Sequence, residues 1–243
     1  MRAPVAVVLL VLGGTALLAC PASAWMDPFV RVAYGASQLK MSEVNANIDR
    51  VENSIQEAGY PADFRHVPVS YGPHASAGLW LFRGLRVGAT YTYQRAYGVN
   101  RVHVPGRLFY EDDLDFRMRE LGIEAAVRVP GLPGFMLGGE MARADAKIIE
   151  GVGADDASGP YSLDFSGTGS GITYNAYLGY EQTNDAHVAG FIRLGYRVRN
   201  MGAFPVTGTT WDGVSTTPVS GESAPLDYSG LYITVGMGFD LVH

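Results

Sequence analysis

Glu124 and Glu140 stand at about equal distances from a short segment rich in proline, Val129–Pro133. If that segment is a turn, the two carboxylates meet on neighbouring strands. Carboxylates that close repel one another unless a cation pairs with one or a proton sits on it. Arg193 and Arg86 are the candidate partners. His74 joins the same polar set near mid-strand, with Arg31, Arg86, Arg128 and Arg197 nearer the strand ends. Two chemistries fit. One is a structural ion-pair network, costly to break from one side. The other is the polar lining of a narrow or gated passage. A nucleophilic reading also exists, because His74-Ala75-Ser76 puts an imidazole and a hydroxyl on one strand face, shared by Ser70. A hydrolase would use such a Ser with His and an acid, but no Gly-x-Ser-x-Gly elbow supports a triad. His66, His103 and His187 have no metal-ligand spacing, so no metal site is expected. The densest acidic run is Glu111, Asp112, Asp113 and Asp115, followed by Glu150 with Asp155 and Asp156. Carboxylates can bind divalent cations, but no spaced calcium loop is present, and these charges are expected to be solvated loop residues.

The elements that hold these residues alternate with a period of two, the mark of strands with unlike faces. In 85–94, Leu85, Val87, Ala89, Tyr91 and Tyr93 oppose Arg86, Gly88, Thr90, Thr92 and Gln94. Eight such segments are predicted, near 28–39, 68–82, 85–97, 114–128, 134–148, 169–182, 186–199 and 228–242. In the fourth, Phe116 and Met118 are out of phase with Leu121, Ile123, Ala125 and Val127, so a β-bulge is expected around Arg119-Glu120. The connections at 83–84, 129–133 and 183–185 are short; those at 40–67, 98–113, 149–168 and 200–227 are long. In an up-and-down barrel alternate connections share an end, so all short turns fall at one end and all long loops at the other. Transmembrane barrels have this asymmetry.

A soluble ligand-binding barrel would alternate too, with its apolar face inside. Here the polar face is mostly Gly, Ser, Thr and Ala, which suits a cramped lumen better than a solvated surface. Tyr71, Tyr91, Tyr93, Tyr174, Tyr180, Tyr196 and Phe239 lie toward strand ends on the apolar face, as interfacial girdles do. Composition agrees: 31 glycines in 243 residues, 17% charged residues, and lysine only at Lys40 and Lys147. A net charge of -6 excludes nucleic acid as a partner. Residues 1–24 have the short apolar core and Ala22-Ser23-Ala24 site of a secretory signal peptide, cleaved near Ala24. Cys20, the single cysteine, would leave with it, although Leu17-Leu18-Ala19-Cys20 also loosely resembles a lipoprotein box.

The last strand, with Thr234, Gly236, Phe239 and Leu241, resembles the assembly signal of bacterial outer-membrane proteins, except that Val242-His243 follow it. With the signal peptide and eight strands, the chain resembles the small outer-membrane β-barrel superfamily, the OmpA/OmpX/OmpW-like group. The resemblance implies an all-β, eight-stranded antiparallel up-and-down transmembrane β-barrel over 25–243. It also implies a Gram-negative outer membrane with periplasmic termini, folding through the barrel assembly machinery, and no cofactor. Outer-membrane lipid and lipopolysaccharide are the expected surroundings.

The first long loop predicts one short amphipathic helix, N-capped by Ser42 and ended by Gly59 and Pro61. Val44, Ile48, Val51 and Ile55 form its apolar stripe. About 10–12 Å wide, it does not fit inside a packed eight-stranded lumen and should cap the extracellular mouth. The 200–227 loop is expected to be mobile and to present a recognition tip to an extracellular partner. The expected role is structural, surface-interaction or narrow-passage, and non-catalytic. The alternatives are a small gated channel for polar or hydrophobic solutes, a lipid-modifying enzyme, and the soluble barrel.

Overall fold

The computed structural model describes residues 26–67, 69–81, 84–156, 159–184, 187–223 and 226–240. The predicted signal peptide over 1–24, Cys20 and Leu241 lie outside them. Eight antiparallel strands close a ring: β1 (Met26–Gln38), β2 (Val69–Leu81), β3 (Leu85–Val104), β4 (Leu108–Arg128), β5 (Phe135–Asp156), β6 (Gly159–Thr183), β7 (Val188–Met201) and β11 (Gly230–Asp240). Each pairs with its chain neighbour, and β1 closes on β11 from Phe29↔Asp240 to Ser37↔Tyr232. Both ends of the described chain lie at the short-turn end, where Met26 pairs with Leu81.

The ring's outer face is apolar. Leu121, Ile123 and Leu194 expose 65%, 60% and 58% of their surface, while Arg31, Ser76, Thr90 and Arg86 are buried inside. This is the reverse of a water-soluble barrel, and it overturns the soluble alternative.

Four expectations change. No bulge interrupts β4, because its pairing with β3 and β5 runs unbroken through Arg119 and Glu120. Phe116 and Met118 simply point inward with Glu120 and Glu124. The segments 98–113 and 149–168 are not loops: β3 and β4 continue to a three-residue turn, Pro105-Gly106-Arg107, and β5 and β6 run on to Asp156 and Gly159. Above the membrane the outer face meets water, so polar outward residues hide the strand pattern there. The 200–227 stretch is largely ordered as a hairpin, β8 (Pro205–Trp211) and β9 (Thr216–Glu222), followed by a two-residue strand β10 (Leu226–Asp227). β8 pairs with the upper part of β6, from Ser162↔Trp211 to Gly167↔Val206, where β7 has already ended. The wall of β3–β6 and β8–β9 therefore stands taller than the rest of the ring.

Helix α1 (Ser42–Glu57) lies where the stripe predicts a helix, but Ser42 does not cap it. The N-cap is Met41, in a left-handed conformation, without a side-chain cap. The C-terminus has the glycine stop: Gly59 (φ 85) donates to Gln56 and Tyr60 to Ile55, a paired closure of the last carbonyls.

Candidate functional site

Inward residues of the ring fall into two layers. Toward the short-turn end, five arginines (Arg31, Arg86, Arg193, Arg197, Arg199) meet five carboxylates (Glu120, Glu124, Glu140, Glu181, Asp240), all buried except Glu181, which is half-buried. At the bottom, Arg31 Nη2 donates to Glu181 at 2.6 Å and also to Asp240. Arg86 Nη1 donates to the same Glu181 at 2.9 Å. Trp80 Nε1 donates to Asp240 at 3.2 Å, and Arg86 lies 5.1 Å from the Phe29 ring centroid. In the middle, Arg193 Nη1 donates to Glu124 at 3.0 Å and approaches His74 at 3.3 Å. Arg86 Nε stands 3.4 Å from Glu124, without hydrogen-bond geometry. Tyr177 lies under this pair and donates its hydroxyl to Glu124 at 3.3 Å. The ring of Tyr177 covers Gly138, where an added Cβ would come within 2.3 Å of it. Higher up, Arg199 donates to Glu120, and Arg197 donates to Asn175 at 2.8 Å.

Glu124 and Glu140 are direct cross-strand neighbours, as their spacing from the turn suggested. They are treated differently. Glu124 takes the arginines, whereas Glu140 accepts from Thr90 at 2.5 Å and Asn175 at 2.9 Å. His74 binds Thr92 at 2.8 Å. Arg128 lies at the rim, 4.5 Å from the Trp80 ring.

Sequence reasoning missed Glu120, Glu181 and Arg199. Glu120 falls at the expected bulge, and Arg199 is the last residue of the predicted segment 186–199, two short of where β7 ends at Met201. Their parity with Glu124 and with Arg193 and Arg197 was a usable signal.

Above Glu120 the interior becomes apolar. Met118, Phe116, Ala144, Ala146, Ile148, Leu114 and Tyr228 fill it, joined by Phe204 from beyond β7. Phe116 stacks on Tyr228 at 4.3 Å. α1 sits on this plug: Ile48 is buried in it, with Val44, Val51 and Ile55 packed against it. The segment after the helix ties to the tall wall, with Phe64 stacked on Tyr110 at 5.5 Å and Arg65 N–H donating to Asn100 at 2.8 Å.

The acidic run lies on β4, not in a solvated loop, and its members differ. Asp115, although burial alone would raise it, is held below the usual carboxylate range by hydrogen bonds from Arg117 and Arg95. Asp112 points into the mouth, where burial and then Asp113 push its carboxyl up to about 6. Glu150, also inward on β5, is pushed up to about 7 by burial and then by Asp112.

The assembly-signal residues lie on β11. Phe239 is exposed on the outer face, while Thr234, Gly236 and Gly238 face inward. An added Cβ on Gly236 would meet the β1 backbone at Val32 O, 2.2 Å away.

The architecture is that of a small outer-membrane β-barrel. Eight antiparallel strands, an apolar exterior, a polar interior and short turns at one end together define it. Solved structures of similar build include CarO of Acinetobacter baumannii, at 13% identity over 87% of this chain and 96% of that one, TM-score 0.41. The outer membrane protease OmpT from Escherichia coli is similar at 10% identity over 91% and 99%, TM-score 0.41. The outer membrane protein AlkL in DMPC bilayers is similar at 10% identity over 90% and 94%, TM-score 0.34. At these identities and TM-scores the likeness assigns no activity to this chain. No family model matches the chain, and no curated protein matches it.

Proposed function

We propose that this chain is an integral outer-membrane barrel sealed along its axis, non-catalytic, whose work is done by its extracellular end. One observation carries the reading: the interior is filled twice over, by the arginine–carboxylate lattice and by the apolar plug under α1. A solute would have to break buried ion pairs and displace packed aromatic rings, so neither a standing pore nor a simple lid-gated one fits. The nucleophilic reading loses its substrate path. His74 and Ser76 are buried inside the ring, and the imidazole is held by Thr92 and Arg193. The tall wall, α1 and the β8–β9 hairpin are the surfaces left to meet a partner.

Planar-bilayer recording tests this. The purified barrel should give no discrete conductance. A variant with residues 42–57 replaced by a short Gly/Ser loop should stay silent too, because the ionic lattice closes the ring beneath. Stepwise conductance of the wild-type protein would overturn the proposal.

A further inference from the structure

The outer wall carries a cationic groove directly above its lipid-facing surface. Four cations and one carboxylate line it, Arg117 and Arg119 on β4 and Arg143, Asp145 and Lys147 on β5, with Thr168 and Ser170 of β6 opposite, around a volume of about 630 Å³. All four cations point outward at the same parity as the lipid-facing residues below them, Leu121 and Ile123 on β4 and Met141 on β5. Arg143 stands one register row below Arg119, which pairs with Asp145, and beside the exposed Ile172. Arg117 is engaged by Asp115, and Arg143 lies 3.4 Å from Asp145. Arg119 and Lys147 have no ion pair or hydrogen bond among the described residues. The groove therefore joins uncompensated positive charge to an apolar wall. In an outer leaflet the complementary molecule has phosphates on a sugar headgroup and acyl chains beneath.

We propose that this groove is a docking site for the bisphosphorylated lipid A headgroup of lipopolysaccharide. Arg119 and Lys147 take a phosphate, Arg143 and Arg117 flank it, and Thr168 and Ser170 supply hydroxyls toward the sugar. The acyl chains lie on Leu121, Ile123, Met141 and Ile172. Guanidinium and ammonium groups suit phosphate through charge-assisted hydrogen bonds. The site rests on the outer-membrane reading for its surroundings, but its chemistry can be tested apart from it.

The test is native mass spectrometry of the folded barrel in detergent, with added lipid A, its dephosphorylated form, phosphatidylglycerol and phosphatidylethanolamine. The wild type should hold lipid A at least about tenfold more tightly than the dephosphorylated form, the loss expected for about one charge-assisted phosphate contact. Arg119→Gln with Lys147→Gln should remove that preference and leave phosphatidylethanolamine binding unchanged. Heat-modifiability on gels checks the fold of the double variant; if it does not fold, each single substitution is read in its place. Equal binding of both lipid A forms, undiminished lipid A binding by the variants, or phosphatidylglycerol binding as tight as lipid A would overturn the proposal. Cell fractionation tests the location separately, so failure of the one is distinguishable from failure of the other.

Discussion

Replacing Glu124 by Gln tests whether the lattice holds the barrel shut. Glu124 is buried, with Arg193 Nη1 at 3.0 Å, Arg86 Nε at 3.4 Å and the Tyr177 hydroxyl at 3.3 Å. The amide keeps the shape and one acceptor but removes the charge that both guanidinium groups face. Breaking a buried pair from one side costs about 3–5 kcal/mol, since the partner is left charged and dry. Here the loss should fall at the lower end, about 3 kcal/mol, for two reasons. Arg86 keeps Glu181 at 2.9 Å. Arg193 keeps the faces of Tyr177 and Phe191, at 4.9 Å and 4.8 Å. Glu140→Gln is the internal control. Its partners are Thr90 and Asn175, and the Thr90 hydroxyl can turn from donor to acceptor, so the cost should stay within about 1.5 kcal/mol, that of a neutral hydrogen bond. Urea unfolding of the barrel in lipid vesicles, followed by tryptophan emission, measures both. The double variant Glu124→Gln/Arg193→Gln should lose less than the two singles added, because the stranded cation is gone. A loss below about 1 kcal/mol for Glu124→Gln, or equal losses at Glu124 and Glu140, would refute the reasoning.

The mouth should loosen as pH rises. Asp112 and Glu150 have folded pKa values raised to about 6 and about 7 from their ordinary values of 3.8 and 4.5. Their stabilising contribution is thus complete below the unfolded values and is lost as pH climbs through the folded ones. Amide protection across α1 and the upper ends of β4 and β5, taken relative to the intrinsic exchange rate at each pH, should be greater at pH 5 than at pH 8. Asp112→Asn with Glu150→Gln should flatten the difference, and equal protection in the wild type at both pH values would contradict it. Gly138→Ala sets a Cβ against the Tyr177 ring and should cost about 1–3 kcal/mol by overpacking, read in the same urea titration. Ile48→Asp puts a charge into the plug; exchange should show α1 released while the ring's thermal midpoint barely moves.

Much of the ring was legible because lipid outside and a cramped lumen inside impose opposite chemistry on alternate residues. Segment 85–94 and the last strand needed no more than that alternation. The Glu124–Glu140 juxtaposition followed from one turn and two counts. The partition of the arginines between them did not, because it depends on side chains reaching across the ring from β3 and β7, which no local pattern encodes. The tops of β3 to β6 were read as loops because their outer face is polar there, as at Arg101, Glu111 and Asp155. The hairpin β8–β9 was hidden for another reason: both of its faces are largely exposed, so it has little alternation to read.

The misplaced bulge on β4 marks a physical boundary. Along one uninterrupted strand the apolar residues change sides: Phe116 and Met118 face in, Leu121 and Ile123 face out. β5 does the same, with Ala146 and Ile148 inside above and Leu137 and Met141 outside below. A bulge would achieve this by shifting register, but the register does not shift. The solvent outside the wall changes instead. Where lipid surrounds the ring, the exterior satisfies the hydrophobic effect and the interior can hold charge, provided that the charge is paired. Where water surrounds it, the exterior must be polar and the interior must become the core. The crossover therefore places the membrane surface on each strand. Arg119 and Arg143 stand at that crossover on the outer face, the level at which a lipid headgroup presents its phosphates. Arg119→Leu would extend the apolar belt past that boundary on β4 without touching the interior. It should leave the lattice and the plug intact while costing the cationic groove one of its two unpaired charges.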